Sequence, residues 1–267
     1  MIKFDVYPDG KPYALTMSYD DGRVFDRDLV GIFNRYGVRG SFHLNSGKLS
    51  TPGYITREEV GTLYRNHEVS CHTENHPFLE RLPREEVIRE ISRDKDTLEK
   101  LSGGIVRGMS YPFGTHSPSV VEALTLSGME YSRTTRATMG FDRPENFMLW
   151  DPSCHHRDCL ALIDKFEESE RTRAYALAGA LLYVWGHSYE FDNNKNWDLI
   201  ETFCQRIGGR PDFWYATNIE IVDYLEAQRA LRFSKDLTRV FNPSAVPVWI
   251  RKDSDPVMIA PGETRAL

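Results

Sequence analysis

The sequence has no long hydrophobic run and no excess of basic residues. Its longest apolar stretch, residues 174–186, is shorter than the ~20 residues that a membrane-spanning helix needs. Lys and Arg number 33 against 39 Asp and Glu, so the net charge is −6. A protein that binds nucleic acid through phosphate contacts carries a basic patch instead. We therefore expect no membrane span and no nucleic-acid partner.

Cysteine is scarce, and the N-terminus lacks the features of a secretory signal. The first ten residues, MIKFDVYPDG, contain no apolar core segment and no small-residue cleavage site. Without such a signal, the four cysteines are best interpreted as reduced thiols. We expect a cytoplasmic protein whose fold does not depend on disulfides.

Short apolar runs alternate with longer amphipathic ones along most of the chain. Seven runs predict strands: Tyr13–Tyr19, Gly40–Leu44, Glu68–His72, Val106–Tyr111, Met129–Thr134, Leu181–Trp185 and Phe213–Tyr215. Helices are predicted at Phe25–Tyr36, after a capping box at Thr56–Glu59, and from Pro83 to just before Gly103. This alternation is typical of an α/β fold with a parallel sheet. About seven units favour a deformed (β/α)7-type barrel, although an open doubly wound sheet stays possible.

The pattern changes near Phe233. From Thr238 to Leu267 the chain is rich in Pro, Val and alternating residues and has no helical period. We predict a barrel domain over residues 1–232 and a C-terminal β-rich appendage over residues 233–267, too small to fold alone.

Polar residues follow four of the predicted strands at their C-terminal ends. They are Asp20-Asp21-Gly22, His72-Thr73-Glu74-Asn75-His76, Pro112-Phe113-Gly114 and Gly186-His187. In parallel α/β folds this face of the sheet carries the functional site. We therefore expect these residues to lie together.

His72 and His76 have a spacing that suits two imidazole ligands of one metal ion. Asp21 offers a third ligand, and such a triad leaves positions open for water and substrate. Neighbouring residues of a strand point to different sides, so Asp20 is free to act as a general base. His187 is a candidate general acid. Surface histidines and an ordinary Asp-Asp-Gly turn are the alternative explanation.

Four segments resemble, in order, the motifs of the polysaccharide deacetylases, also called carbohydrate esterase family 4 or the NodB-homology domain. They are TMSYDDG (16–22), SCHTENHP (70–77), YPFG (111–114) and LYVWGH (182–187). The resemblance spans Tyr13 to Gln228 and implies a deformed (β/α) barrel. It also implies one divalent metal ion, most often zinc, and hydrolysis of acetyl groups, usually N-acetyl, on sugars. The same ligands also bind other divalent transition metals.

The resemblance assigns a role to each matching position. Asp20 is the catalytic base, and Asp21, His72 and His76 are the metal ligands. His187 is the catalytic acid, and Phe113 takes the place of the aromatic residue whose backbone N–H stabilises the oxyanion.

Two positions depart from the family's pattern. The arginine that partners the catalytic Asp would fall at Ser110, so we expect Arg133 to supply that charge from the end of the fifth strand. The carboxylate that tunes the acid histidine has no clear counterpart, and Asp151 is the best candidate.

Other residues are secondary candidates. The segment Cys154–Cys159 (CHHRDC) has a spacing that fits no common zinc-binding set, so we expect His155 or His156 to contact substrate. Four aromatic residues are candidates to stack on a sugar ring or to lie in the core: Trp185, Tyr189, Trp197 and Trp214.

The sequence therefore predicts a metal-dependent hydrolase that deacetylates an amino sugar, oligosaccharide or polysaccharide. Three alternatives remain open: a hydrolase of a non-sugar C–N amide bond, a catalytically silent carbohydrate-binding relative, and a non-heme iron oxygenase, which shares the two-His-one-carboxylate triad. The identity of the substrate depends on loops that vary freely on such a fold.

Overall fold

The computed structural model describes all 267 residues. Its strands are β1 (Ile2–Lys3), β2 (Tyr13–Asp21), β3 (Gly40–Leu44), β4 (Glu68–Cys71), β5 (Gly108–Ser110), β6 (Tyr131–Arg133), β7 (Cys154–His155), β8 (Ala180–Gly186), β9 (Phe213–Tyr215), β10 (Arg232–Phe233), β11 (Arg239–Phe241), β12 (Val248–Lys252), β13 (Asp255–Ile259) and β14 (Thr264–Ala266). Its α-helices are α1 (Asp26–Tyr36), α2 (Val60–Leu63), α3 (Arg84–Ser102), α4 (Pro118–Leu126), α5 (Cys159–Arg173), α6 (Ser188–Asn194), α7 (Trp197–Ile207) and α8 (Asn218–Arg229). None of these helices has both the length and the apolar character that crossing a membrane requires.

Strands β2 to β9 form one parallel sheet that curls into a deformed barrel. Its order is β6-β5-β4-β3-β2-β8-β7, and β9 pairs with the first residues of β2. Strand β2 is central: it pairs with β8 over residues 13–19 and with β3 over residues 17–21. The predicted α/β class with a deformed (β/α)7-type barrel is confirmed.

The two edges of this sheet are joined by residues 150–155. Trp150 forms a parallel bridge with Arg133 of β6, and Cys154 and His155 form β7 beside β8. The Ser153 N–H donates to the Tyr183 carbonyl at 2.8 Å. This connection brings the end of β6 near the ends of β2 and β8.

Alternation along β2 separates the outer core from the barrel interior. Leu15, Met17 and Tyr19 belong to an apolar cluster of 42 buried residues that includes the surrounding helices. Thr16 and Asp20 lie on the opposite face and are also buried. The interior of the barrel is therefore polar, and Asp20 points into it at the C-terminal end of β2.

The element boundaries follow local chemistry where the sequence carries it. Helices α1 and α3 end at Gly37 and Gly103, whose φ angles of 67° and 75° suit glycine. The capping box of Thr56 and Glu59 is present, but it opens a short 3₁₀ turn and a helix of only four residues. Strand β7 was not predicted, because two residues carry no periodic signal.

The chain after α8 forms two small antiparallel sheets. One contains β10, β11 and β14, and the other contains β12, β13 and the N-terminal β1. Val240, Val248, Ile250 and Ile259 are buried with Ala227 of α8 in a separate apolar cluster. The β-rich character expected for residues 233–267 is present, and the division at residue 232 stays a prediction.

Candidate active site

Asp20 is a buried carboxylate held by two partners. Its Oδ2 contacts Nη2 of Arg133, and its Oδ1 accepts a hydrogen bond from Ser110 Oγ at 3.0 Å. Burial alone would raise the pKa of Asp20, but the charge of Arg133 holds it well below its ordinary value. The carboxylate therefore stays ionised. The expected pairing with Arg133 is present, and Ser110 contributes a hydroxyl where the family's arginine would stand.

Asp21, His72 and His76 converge beside Asp20. Oδ1 of Asp21 lies 3.7 Å from Nε2 of His72 and 3.9 Å from Nε2 of His76. The three donor atoms all lie within 4.8 Å of one another. These distances are too long for hydrogen bonds, so the donors face a common point rather than each other.

The donor set fits a divalent metal ion. Two imidazoles and one carboxylate are ligands that zinc and related transition metals accept. Nδ1 of His72 lies 2.9 Å from the Ser110 carbonyl, which fixes its proton there and leaves Nε2 as a free lone pair. Burial lowers the pKa of His72 to about 3, so the ring is neutral, as a metal ligand must be.

The backbone of His72 is held by Asp94, which the sequence did not indicate, and by Asn45. Asp94 of α3 accepts the His72 N–H at 3.0 Å and the Ser46 N–H at 2.8 Å. Asn45 donates to the His72 carbonyl at 2.6 Å. These contacts fix the position from which the imidazole points toward Asp21.

A cavity of about 490 Å³ opens over these residues. Phe113, Trp185, His187 and Tyr189 also line it. Phe113 has a φ of 58°, and its ring stacks on Phe78 with a centroid distance of 3.7 Å. Its ring also meets that of His76 at 4.5 Å. Of the aromatic candidates, Trp197 and Trp214 pack against the apolar clusters instead.

His187 faces the cavity from the end of β8, and its other side meets Glu190. Nδ1 of His187 lies 3.3 Å from Oε1 of Glu190. Burial alone would lower the pKa of His187, but the carboxylates of Glu190, Asp20 and Asp21 raise it above its ordinary value. A histidine in this setting is suited to carry a proton.

The comparison with protein families matches residues 7–132 to the model described as polysaccharide deacetylase. This match covers slightly less than half of the chain, so residues 7–132 are similar to the polysaccharide deacetylase family. A curated member of Listeria monocytogenes, the peptidoglycan-N-acetylglucosamine deacetylase PgdA, is 25% identical over 124 residues. That alignment covers 45% of this chain and 26% of the relative, so the chain matches about a quarter of the relative's length.

Solved structures share the fold of this chain. A candidate polysaccharide deacetylase from Mycobacterium smegmatis matches with a TM-score of 0.61 and 16% identity, covering 84% of this chain and 93% of that one. A mutant of a Bacillus anthracis CE4 family pseudoenzyme with restored enzymatic activity matches with a TM-score of 0.52 and 15% identity. It covers 81% of this chain and 69% of the mutant chain.

The structure brings seven of the eight expected site residues to one cavity region, and Asp151 is the exception. The Asp151 carboxylate contacts Thr134 and Arg136, and the carboxylate beside His187 belongs to Glu190. The expectation for Asp151 is therefore corrected. Asp151 lies in the segment that closes the barrel, where its own neighbours neutralise it.

Glu190 was missed although a signal was available. It lies three residues after His187, and α6 begins at Ser188, so the first helical turn returns its side chain to His187. His155 and His156 are also buried against Glu190. Their expected contact with substrate is not favoured by this arrangement, because neither lines the cavity.

Proposed function

We propose that this chain is a divalent-metal-dependent hydrolase that removes acetyl groups, chiefly N-acetyl, from an amino sugar, oligosaccharide or polysaccharide. The observation that carries the proposal is the convergence of a buried ionised carboxylate, a His-His-Asp donor set and a protonatable histidine on one cavity. The family match and the relative's named activity on peptidoglycan N-acetylglucosamine support it.

Asp21, His72 and His76 would hold the metal, with zinc the first choice. When bound there, a divalent ion supplies Lewis-acid polarisation and makes water a better nucleophile near neutral pH. His72 and His76 are presented for this role by the backbone contacts and ring contacts described above.

Asp20 acts as the general base. Its carboxylate is ionised and lies 3.8 Å from Nε2 of His72, so it would lie beside a metal ion held by Asp21, His72 and His76. Arg133 and Ser110 orient it and keep its charge. A base held in this way removes a proton from water as the oxygen attacks the acetyl carbon.

Phe113 acts on the carbonyl oxygen of the amide, and His187 acts on its nitrogen. The backbone N–H of Phe113 stabilises the negative charge that develops on the carbonyl oxygen. His187 donates a proton to the departing nitrogen. Trp185 and Tyr189 provide aromatic walls for a sugar ring in the cavity.

A silent carbohydrate-binding relative is less well supported. The compared Bacillus anthracis protein is described as a pseudoenzyme whose mutant has restored activity, so the fold alone does not establish catalysis. In this chain the residues proposed as base, metal ligands and acid all line one cavity, which supports catalysis. The cytoplasmic location stays a prediction.

Acetate release tests the proposal. Metal-loaded protein is incubated with N-acetylated chitooligosaccharides, peptidoglycan fragments, acetylated xylan and a small non-sugar acetamide. We expect acetate from at least one N-acetylated sugar. Turnover of the acetamide alone would replace the proposal with a non-sugar amide hydrolase. Sugar binding without turnover of any substrate would favour the silent relative.

A further inference from the structure

Three histidines surround the Glu190 carboxylate. Oε2 lies 3.0 Å from Nε2 of His155 and 2.9 Å from Nε2 of His156, while Oε1 lies 3.3 Å from Nδ1 of His187. Glu190 Oε2 and His187 Nδ1 make no hydrogen bond of regular geometry, but each N···O distance is short enough for strong attraction between an imidazole and a carboxylate. Burial alone would raise the pKa of Glu190, yet the three imidazoles hold it well below its ordinary value.

The proton of His155 is placed by a backbone contact. The Arg157 N–H donates to Nδ1 of His155 at 3.3 Å, so that nitrogen carries the lone pair of the neutral ring. The proton is therefore on Nε2, which faces Glu190. A metal ion bound at Nε2 would require a proton on Nδ1, where the Arg157 N–H already points. The pair His155 and Glu190 is thus a donor and an acceptor rather than two metal ligands.

The orientation of His156 is fixed by packing. Its ring stacks between Phe191 and Tyr19, with centroid distances of 4.1 Å and 5.8 Å. Its Nδ1 is buried without a partner against Gly186, where a Cβ atom would lie only 2.1 Å from that nitrogen. A buried N–H without an acceptor is costly, so the proton belongs on Nε2, again facing Glu190.

We propose that His155 and His156 are positioning residues for the proposed acid His187, and that they act by anchoring the Glu190 carboxylate. This inference rests on the proposed deacetylase function. One oxygen of Glu190 is occupied by the two histidines, so the other is held toward Nδ1 of His187. The proton on that nitrogen is then fixed, and Nε2 is the atom that serves the substrate.

As the C–N bond breaks, its electron pair goes to nitrogen, which takes the proton from Nε2 of His187. The ring becomes a neutral imidazole that keeps its proton on Nδ1, facing Glu190. The other charged groups around His187 are Asp20 and Asp21 of β2 and Arg157 at the cavity wall.

Two substrates with different leaving groups test this role. An N-acetyl amine requires protonation of its nitrogen, whereas 4-nitrophenyl acetate releases a phenolate that requires none. We expect His155→Leu and His156→Leu to lower kcat for the amide about tenfold or more, with little change in KM. Their rates with the aryl acetate should stay within about twofold of the wild type.

Matched variants separate positioning from simple damage. His156→Gln keeps an N–H donor at the same reach and should recover most of the amide rate. His116→Leu, a change at an exposed histidine, should leave both rates unchanged. Equal losses on both substrates in the His155 and His156 variants would overturn the inference. If the wild type hydrolyses neither substrate, it is the proposed function that fails.

The tautomers provide a readout that does not depend on activity. Long-range ¹H–¹⁵N spectra of the imidazole rings should show the proton on Nε2 in both His155 and His156. A proton on Nδ1 in either ring would overturn the inference. So would a second zinc ion per chain that is lost in His156→Leu.

Discussion

The guanidinium of Arg133 contacts the carboxylate of Asp20 in the mouth of the barrel, although 113 residues separate them in the chain. Arg133 is fully buried, and its guanidinium lies 4.3 Å from the centre of the Trp185 ring. It also donates to the Thr134 carbonyl at 3.0 Å. Two desolvated charges support each other here, so the loss of one leaves the other uncompensated.

The ion pair of Asp20 and Arg133 should stabilise the folded protein. Arg133→Met should lower the free energy of unfolding by about 3–5 kcal/mol, because it leaves a buried carboxylate unpaired. The double variant Asp20→Asn with Arg133→Met should recover a large part of that loss. Urea denaturation of the wild type, both single variants and the double variant measures the coupling. Additive losses would show that the pair is not coupled.

Asp26 makes stability depend on pH. It is buried and accepts hydrogen bonds from Ser188 at 2.5 Å and Tyr64 at 2.6 Å. Burial raises its pKa from 3.8 to about 7. The neutral carboxyl therefore contributes stability that is fully present below pH 4 and is lost as pH rises through about 7.

Asp26→Asn imitates the neutral carboxyl at every pH. Its free energy of unfolding relative to the wild type should rise by about 1–3 kcal/mol between pH 4 and pH 8. Asp28→Asn, an exposed change on the same helix, is the control and should show no such trend. Denaturation curves at several pH values measure the difference. A difference for Asp26→Asn that does not change with pH would contradict the assignment.

Metal retention should depend on the donor set. We expect about one divalent ion per purified chain, and zinc should raise Tm when it is added to metal-free protein. Asp21→Ala and His76→Ala should each abolish both effects, while His116→Ala should preserve them. Elemental analysis and thermal melts are the measurements. Full retention of the ion in the Asp21 and His76 variants would place the metal elsewhere.

Gly186 should tolerate no side chain. A Cβ atom there would overlap the His156 ring, so Gly186→Ala should displace that ring from Glu190. We expect its amide hydrolysis to fall about tenfold or more while bound metal is retained. Kinetics and metal analysis of the same preparation provide the check. Wild-type kinetics in Gly186→Ala would show that the ring has room to move without consequence.

Much of the fold was predictable because its signals are local. Strands such as Gly40–Leu44 and helices bounded by Gly37 and Gly103 follow from apolar periodicity and from the turn preference of glycine. Strand β7 has only two residues, and its pairing depends on the closure of the barrel. No local pattern encodes such a pairing.

The residues of the candidate site were likewise predictable where local sequence signals place them, and not where their role depends on tertiary contacts. The strand-end positions of Asp20 and His72 predicted that the two side chains converge. Because serine stands at position 110, where the family has arginine, Arg133 was expected to pair with Asp20. Glu190 was missed because its available signal, a spacing of three residues from His187, has meaning only if a helix begins at Ser188. Asp151 was chosen from its position in the chain, but its carboxylate is occupied by Thr134 and Arg136.

The most direct test of the proposed mechanism is acetate release by metal-loaded Asp20→Asn, compared with the wild type on the best N-acetylated substrate. Asparagine keeps the shape of the side chain and removes its basicity. The account predicts that turnover falls at least about 100-fold while the variant keeps one divalent ion per chain. Wild-type turnover by a metal-loaded Asp20→Asn protein would contradict it.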